Sequence, residues 1–142
     1  MDKYESLKLD NQLCFPLYAA AREIIKQYNT PLSGIDLTYT QYITMLVLWE
    51  HNSISTKELG KKLYLDSGTL TPVLKSLEKK GHVTRSRHKE DERMVICTLT
   101  AQGEALKEKA LDVPREVSQC VKLDAQEAQT LYRLLYKLLD TM

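Results

Sequence analysis

The sequence predicts a mainly helical fold that carries a small β-hairpin, which is an α+β class. Three observations lead to this prediction. Ser55 and Glu58 have the spacing of a helix capping box, and Asp66 is a good N-cap for a second helix shortly afterwards. Two short β-prone runs follow, Val83–Arg87 and Met94–Leu99, on either side of a polar loop. A helix, a turn, a second helix and a hairpin together form a winged helix-turn-helix, a shape that enters a DNA groove.

The apolar positions of the two helices agree with this arrangement. Leu59 and Leu63 form one apolar edge of the first helix. The second helix has apolar residues at helical spacing, which predicts a buried face. That face consists of Leu70, Val73, Leu74 and Leu77. Gly81 is expected to end the helix, because glycine readily adopts the left-handed conformation found at helix C-termini.

The opposite face of the second helix carries small and basic donors, which suit base edges and phosphates. These side chains are Ser67, Thr69, Thr71, Lys75, Ser76 and Lys79. Pro72 lies in the same helix, where it removes an amide donor and crowds the carbonyl of Gly68. We expect a slightly distorted helix start, with the backbone near Gly68 able to approach DNA closely. A solvated helix face is an alternative explanation of this pattern alone.

Basic charge is concentrated in the same segment. Residues 56–93 contain ten Lys and Arg and six Asp and Glu, a net charge of +4, whereas the whole chain has a net charge of +1. The predicted wing carries Arg87, Lys89 and Arg93, which we expect to contact DNA. Asp91, two residues before Arg93, is placed to hold that side chain extended toward the minor groove. An ordinary surface ion pair explains the same spacing.

Further helices are predicted on both sides of the winged motif. Their N-caps are expected at Asp10 or Asn11, at Thr38 with Gln41, at Thr100, and at Asp124 with Glu127. The first helix runs to about Tyr28, and residues 29–37 form a loop. The helix after Thr100 extends over about 101–121 with a kink at Pro114.

The first and last helices have apolar faces that the rest of the chain is too small to cover. The face of the last helix consists of Leu131, Leu134, Leu135, Leu138 and Leu139. We expect both helices to be buried in a two-fold homodimer, which places two recognition helices about one DNA turn, ~34 Å, apart on a palindromic operator. Packing of the last helix on the chain's own core is the alternative.

These expectations describe one domain over residues 1–142. The winged helix-turn-helix occupies about 38–99, and the dimerisation helices occupy about 8–30 and 100–142. No apolar run approaches the ~20 residues of a membrane span. The charged start of the chain is not a secretory signal, so we expect a cytoplasmic protein without a membrane partner.

Composition offers little support for a metal or a cofactor. The histidines are isolated, and we interpret them as surface or turn residues rather than metal ligands. They are His51, His82 and His88. The three cysteines are widely spaced and odd in number, which does not fit a disulfide framework, and no Cys-x-x-Cys pattern indicates a zinc site. We therefore expect no metal and no cofactor.

The cysteines differ in their sequence surroundings. Cys14 lies near the start of the first helix, where the helix dipole favours a thiolate. Phenols that are candidate hydrogen-bond donors to it belong to Tyr18, Tyr28 and Tyr39. A small buried core residue is the simpler interpretation of Cys14. Cys97 alternates with apolar residues in a wing strand, and we interpret it as a core residue. Cys120 lies among polar residues and is predicted to be exposed, where it could resolve an oxidised thiol.

The chain resembles the MarR family of repressors, specifically the two-cysteine type of its organic hydroperoxide resistance (OhrR) branch. The matching stretches are LDNQLCFPLYAAAR, LTYTQYITMLVLWE, LDSGTLTPVLKSLEKKGHVTR and DERMVICTLTAQG. The resemblance implies an obligate winged-helix dimer whose N- and C-terminal helices interdigitate.

The same resemblance implies roles for individual residues. Cys14 matches the peroxide-reactive cysteine, Tyr28 and Tyr39 match tyrosines that reach its thiolate from the partner subunit, and Tyr18 lines the site. The wing-tip pair of the family corresponds to Asp91 and Arg93. Cys120 stands where the two-cysteine members keep a resolving thiol, and a small cellular thiol is the alternative resolving partner.

Three functions follow from these observations. The preferred one is a repressor that releases its operator when an organic hydroperoxide or related oxidant converts Cys14 to a sulfenic acid, which then forms a disulfide with Cys120 of the partner subunit. The second is a repressor released by a small phenolic or apolar ligand. The third is a thiol peroxidase, which would be an enzyme. The chain offers no obvious catalytic acid–base cluster for this activity, and the basic wing would have no purpose in it.

Overall fold

Within residues 2–142, which the structure describes, the computed structural model contains eight α-helices and three β-strands. In chain order these are α1 (Cys14–Gln27), α2 (Asn29–Ser33), α3 (Tyr39–His51), β1 (Ser53–Ser55), α4 (Thr56–Leu63), α5 (Ser67–Lys79), β2 (Val83–Arg87), β3 (Val95–Leu99), α6 (Ala101–Lys109), α7 (Asp112–Ser118) and α8 (Ala125–Asp140). Two short 3-10 helices precede α1, at Glu5–Leu7 and Leu9–Asn11.

The predicted winged helix-turn-helix is confirmed, with one strand more than expected. Helices α4 and α5 form the helix-turn-helix, and β2 and β3 form the hairpin of the wing. Strand β1 pairs antiparallel with the other side of β3, which gives the strand order β1-β3-β2. Cys97 is the centre of this sheet, because it faces Ile54 of β1 and Arg85 of β2.

The helix starts depend on the side chains that the sequence pattern indicated. Complete capping boxes are formed by Thr38 with Gln41 and by Asp124 with Glu127. Asp66 accepts a hydrogen bond from the backbone N–H of Thr69 at 2.8 Å and begins α5. Ser55 begins α4 in the same way, by accepting a hydrogen bond from the backbone N–H of Glu58 at 3.1 Å. The reciprocal bond of the expected capping box, from the backbone N–H of Ser55 to the Glu58 side chain, does not form. Gly81 follows α5 with a φ of +88°, which confirms it as the residue that ends the helix.

The start of the first helix was predicted too early. Asp10 and Asn11 lie in a 3-10 helix, and α1 begins only at Cys14, without a side-chain cap. The amide of Asn11 donates to the carbonyl of Glu5 at 2.7 Å and therefore holds the preceding turn instead of capping α1. Pro16 occupies the first turn of α1, a position where the missing amide proton costs nothing.

Two other boundaries differ from the prediction. The expected loop over 29–37 contains the short helix α2, which buries Leu32 in the core. The expected helix over 101–121 is two helices, α6 and α7, which are separated at Ala110 and Leu111. Pro114 explains the break, because it has no N–H to donate to the carbonyl of Ala110, four residues back.

The core lies between α2, α3, the winged motif, α6 and α7. Its most completely buried apolar side chains are Leu32, Met45, Leu48, Leu59, Leu70, Leu74, Leu77, Val83, Cys97 and Val113. The indole Nε1 of Trp49 donates to the carbonyl of Gly103 at 2.9 Å and ties α3 to α6. Helices α1 and α8, as the structure describes them, bury no residue of their own. They therefore extend from the core as arms with exposed apolar faces.

Candidate nucleic-acid interface and thiol site

The outward face of α5 presents most of the side chains that the sequence assigned to DNA contact. Those exposed are Ser67, Thr69, Pro72 and Lys75, while Thr71 is half-buried. Helix α5 is continuous through Pro72. Ser76 was also placed on this face, but the structure shows it half-buried, with its hydroxyl accepting a hydrogen bond from Gln41 at 2.8 Å. Ser76 thus faces α3 rather than the open surface.

The wing loop is held by hydrogen bonds of its own. Arg87 donates from Nη1 to the carbonyl of Glu92 at 2.7 Å, and Lys89 is exposed. Asp91 accepts a hydrogen bond from the backbone N–H of Arg93 at 3.0 Å. Within residues 2–142 no ion pair joins the Asp91 carboxylate to the Arg93 guanidinium. Asp91 therefore shapes the loop backbone, and the expectation that it grips the Arg93 side chain is not met.

Cys14 is the first residue of α1 and is exposed in the single chain. Its apolar neighbours are exposed as well, with Leu13 at 85% and Phe15 at 42% of their accessible surface. Tyr18, one turn further along, is exposed and packs its ring against the guanidinium of Arg22, 5.4 Å from the ring centroid. The thiol therefore lies on an open apolar surface.

Tyr28 and Tyr39 are brought together by the short helix α2. Their rings meet edge to face with centroids 4.8 Å apart. Tyr42 joins them, at 5.8 Å from Tyr28 and 6.4 Å from Tyr39, and completes what we call the tyrosine cluster. Burial raises the pKa of all three phenols, and the neighbouring Tyr28 raises those of Tyr39 and Tyr42 further. The three hydroxyls are thus protonated donors at neutral pH.

Sequence reasoning missed Tyr42 as a member of this cluster. Its position three residues after Tyr39 places both rings on one face of α3, and this spacing was the available indication. Cys14 and the tyrosine cluster are not brought together within one chain. A continuous helix joins Cys14 to Tyr28, so their Cα atoms are about 21 Å apart at about 1.5 Å per residue.

The other two cysteines match their predicted environments. Cys97, in the central strand β3, is fully buried in the core, and burial raises the pKa of its thiol to about 11. Cys120 is exposed just beyond α7. All three thiols are free in this structure. Cys97 is therefore a core residue, and the two exposed thiols are the ones available for chemistry.

His82 was expected at the surface or in a turn. It does follow α5 in a turn, but it is only 8% exposed, and its Nδ1 has no hydrogen-bond partner in the part of the chain described. Burial lowers the pKa of His82, the positive charge of Lys80 lowers it further, and Asp36 opposes both. The buried imidazole is therefore neutral at physiological pH.

Residues 2–142 contain neither a cluster of metal-ligating side chains nor a membrane-spanning helix. No group of three or more His, Cys, Asp and Glu side chains in this range is arranged to hold a metal ion. No helix described here has both the length and the apolar character needed to cross a membrane.

Comparison with known proteins identifies the family. The family described as transcriptional regulator SarA/Rot matches residues 26–110. The organic hydroperoxide resistance transcriptional regulator of Bacillus subtilis is 48% identical over 141 residues, which cover 99% of this chain and 96% of that protein. Both of these matches are to regulators of transcription rather than to enzymes.

Solved structures of AbfR from Staphylococcus epidermidis share the fold. Reduced AbfR bound to DNA is 36% identical, with a TM-score of 0.80 over 99% of this chain and 96% of that one. The disulfide form of AbfR is 37% identical, with a TM-score of 0.61 over 98% of this chain and 92% of that one. By sequence and by structure, the chain belongs to the MarR family of winged-helix transcriptional regulators, in the branch of the organic hydroperoxide resistance regulators.

Proposed function

We propose that the chain is a homodimeric, redox-sensing repressor. The reduced dimer binds a palindromic operator and releases it after an organic hydroperoxide or a related oxidant oxidises Cys14. One observation carries this proposal. An exposed thiol and a cluster of protonated phenols lie at opposite ends of the rigid helix α1, an arrangement that only a second subunit can bring together.

The DNA-binding part of the proposal rests on α5 and the wing. Helix α5 exposes hydroxyl and ammonium donors beside Pro72, and the segment 56–93 carries a net charge of +4. Side chains of the wing extend the same basic surface, with Arg87, Lys89 and Arg93 exposed. Positive charge attracts the phosphates, and hydroxyl donors suit base edges, so helix and wing contact neighbouring grooves. Reduced AbfR has been solved bound to DNA, which supports the same use of this fold.

The dimer follows from the uncovered faces of α1 and α8. Apolar side chains on these helices are exposed in the single chain, among them Leu13, Leu17, Leu134 and Leu138. Exposed apolar faces of this extent are stabilised by burial against another subunit. We propose that the arms around 8–30 and 100–142 interlock, within a single domain over 1–142. A two-fold dimer then carries two copies of α5 about 34 Å apart.

The sensing site is proposed to form across this interface. Cys14 approaches Tyr28 and Tyr39 of the partner subunit, while Tyr18 of its own helix lines the site. The three hydroxyls of the cluster are protonated and able to donate to a thiolate. An apolar surface around the thiol suits the organic part of a hydroperoxide. The site thus combines a stabilised nucleophile with an apolar binding surface.

The proposed chemistry proceeds in two balanced steps. The Cys14 thiolate attacks the terminal oxygen of the hydroperoxide, so that an S–O bond forms and the O–O bond breaks. Sulfur loses two electrons to become a sulfenic acid, and the alkoxide that leaves takes a proton from water to become an alcohol. The Cys120 thiolate of the partner subunit then attacks the sulfenic sulfur, the S–S bond forms as the S–O bond breaks, and the hydroxide that leaves takes a proton from solvent to become water.

Disulfide formation supplies the mechanical step. The two bonded cysteines need Cα atoms within about 4.4–6.8 Å. Because Cys14 begins α1 and Cys120 lies in the segment that leads into α8, closing that distance shifts these arms and the winged motifs attached to them. The two AbfR forms support such a change, since the TM-score to this chain falls from 0.80 to 0.61 at almost the same identity. Loss of one half-site removes a large part of the roughly 4–10 kcal/mol that separates specific from non-specific binding.

A gel-shift titration with and without cumene hydroperoxide tests the proposal. Wild-type protein is expected to lose operator affinity on oxidation and to recover it with dithiothreitol. Cys14→Ser protein should bind DNA equally in both conditions. Release of operator by Cys14→Ser protein on peroxide treatment would show that another group senses the oxidant.

Non-reducing electrophoresis separates the two ways of resolving the sulfenic acid. Oxidised wild-type protein is expected to run as a covalent dimer, and oxidised Cys120→Ser protein as a monomer. A covalent dimer in the Cys120→Ser variant would exclude Cys120 as the resolving thiol. With a small thiol added to the reaction, a monomeric wild type that carries the mass of that thiol at Cys14 would assign the role to it.

A groove favours one alternative, release by a small apolar or phenolic ligand. It has a volume of about 400 Å³, lies between α3 and the junction of α6 with α7, and is lined by apolar side chains such as Leu46, Trp49 and Leu111. Apolar grooves of this size accommodate small aromatic molecules. This alternative predicts that a phenolic compound releases the operator from Cys14→Ser protein as readily as from wild type.

A further inference from the structure

Gln41 is a buried polar side chain in the first turn of α3, with 5% of its surface exposed. It forms the third position of the capping box, where its backbone N–H donates to the Thr38 hydroxyl at 3.3 Å. Its Oε1 accepts from the backbone N–H of Thr38 at 3.0 Å. Any movement of the start of α3 therefore moves the Gln41 side chain with it.

The same amide also holds α5. Its Nε2 donates to the Ser76 hydroxyl at 2.8 Å, and its Oε1 accepts from the Lys80 ammonium at 3.0 Å. Lys80 donates as well to the carbonyl of Asp36 at 2.7 Å, in the loop that joins α2 to α3. Three hydrogen bonds thus connect the end of α5, the recognition helix of the winged motif, to the segment around the start of α3.

The tyrosine cluster lies on the other side of the same helical turn. Tyr39 and Tyr42 are three residues apart and share one face of α3, on which they contact Tyr28. Gln41 is two residues from Tyr39, so at about 100° per residue its side chain points away from that face. One rigid turn therefore carries the proposed sensing phenols on one side and the connection to α5 on the other.

We propose that Gln41 is a positioning residue that transmits displacement of the tyrosine cluster to the recognition helix through Ser76 and Lys80. This proposal rests on the proposed function. Apolar contacts between α3 and α5 are non-directional and tolerate small sliding movements. The buried amide does not, because separating it from Ser76 leaves polar groups unpaired away from water. When oxidation shifts the cluster, α5 has to follow.

The test cuts the connection from the α5 side, because replacing Gln41 itself also removes the cap of α3. Ser76→Ala deletes the acceptor for Nε2, and Ser76→Thr keeps a hydroxyl there as its matched control. Lys80→Met deletes the ammonium donor while retaining most of the aliphatic chain. Lys109→Met removes one positive charge beside the same loop and controls for the change in charge.

The measured quantity is the ratio of operator Kd for the oxidised protein to that for the reduced protein. This ratio removes those effects of charge or stability that act equally on the oxidised and reduced proteins, and Lys109→Met reports any that do not. The double variant Ser76→Ala/Lys80→Met is expected to lower the ratio by about tenfold or more, while Ser76→Thr and Lys109→Met keep it. Mass spectrometry checks that each protein is oxidised at Cys14 to the same extent.

The outcomes separate this proposal from the one on which it rests. A wild-type ratio near one overturns both. A large wild-type ratio that the double variant retains overturns the role of Gln41 alone and leaves the redox sensor intact. A large wild-type ratio that collapses in the double variant, but not in the two controls, supports transmission through the amide.

Discussion

Arg85, in the middle of β2, donates to Glu78 of α5 with both its side chain and its backbone. Nε and Nη2 of the guanidinium lie 3.3 Å and 3.2 Å from Oε1, and the backbone N–H lies 3.1 Å from Oε2. Both carboxylate oxygens are thus occupied by one residue, and the wing is joined to the recognition helix. The side chain of Arg85 is 23% exposed. It therefore differs from the other arginines of the wing, which are open to solvent.

This contact predicts that Arg85 supports the wing without contacting DNA phosphates. Arg85→Gln is expected to weaken operator binding by a similar factor at every salt concentration. Arg93→Gln at the wing tip should instead lower the slope of log K against log salt concentration by about 0.9 per lost contact, or about 1.8 for the two wings of a dimer. Binding titrations between about 50 and 200 mM salt compare the two. An equal loss of slope in both variants would show that Arg85 also neutralises phosphate.

Gly103 predicts a steric limit where α6 meets the sheet. A methyl group there would overlap the carbonyl oxygen of His82 and lie 2.8 Å from Cδ1 of Leu99. Gly103→Ala is therefore expected to destabilise the protein by about 1–3 kcal/mol despite the better helix propensity of alanine. Urea unfolding at one fixed protein concentration measures the change.

Gly68 provides the matched control, since a methyl group there meets only Asp66 Oδ1 at 3.6 Å. Gly68→Ala is expected to be neutral or to stabilise by up to about 1 kcal/mol. If Gly103→Ala proved as stable as Gly68→Ala, the close packing of α6 on the turn at His82 would be wrong.

The buried His82 predicts a pH dependence of stability. Burial and Lys80 lower its pKa below the ordinary 6.5, so between these two values the unfolded chain binds more protons than the folded one. The free energy of unfolding therefore falls as pH decreases through 6.5, by at most about 1.4 kcal/mol per pH unit, until the folded pKa is reached. Well above pH 6.5, where the imidazole is neutral in both states, this residue contributes no slope.

Urea unfolding at pH 7.5 and 5.5 measures this contribution. His82→Gln is expected to lose less stability than wild type between the two values, because it has no imidazole to protonate on unfolding. His51→Gln, a change at an exposed residue, controls for the loss of a histidine. Equal pH dependence in wild type and His82→Gln would mean that the imidazole is protonated in the folded state.

The tyrosine cluster predicts that phenol hydroxyls accelerate oxidation of Cys14. A hydrogen bond to a charged group contributes about 1.5–3 kcal/mol, so Tyr39→Phe is expected to slow the reaction at pH 7 by about tenfold or more. Loss of the free Cys14 thiol after addition of cumene hydroperoxide, followed by mass spectrometry, gives the rate. Tyr64→Phe removes an exposed phenol outside the cluster and should leave the rate unchanged. Equal rates in both variants would remove Tyr39 from the sensing site.

Local features of the fold could be predicted because single residues specify them. A helix start needs one side-chain oxygen at the correct spacing, which is why Thr38, Asp66 and Asp124 begin helices where the pattern placed them. Gly81 ends α5 because its positive φ suits glycine. The same reasoning failed at Asn11, whose amide donates backward to Glu5 and leaves α1 uncapped.

Features that depend on distant partners could not be predicted in the same way. Strand β1 is three residues long and is defined only by its pairing with β3, so its sequence carries no period to detect. Ser76 looks like a surface donor until α3 presents Gln41 beside it. His82 lies in a turn, as expected, but α6 packs closely on this turn and the side chain is buried.

The sequence by itself determined the helix-turn-helix, the wing and the segregation of basic charge, because capping, alternation and net charge are local properties. The resemblance carried by its motifs then indicated the family. The tertiary structure alone decided which polar side chains are free to contact DNA and which are hydrogen-bonded to another element of the same chain. Ser76 is bonded to Gln41 of α3, and Arg85 of the wing is bonded to Glu78 of α5. That division depends on which groups meet across the core, and no spacing along the chain encodes it.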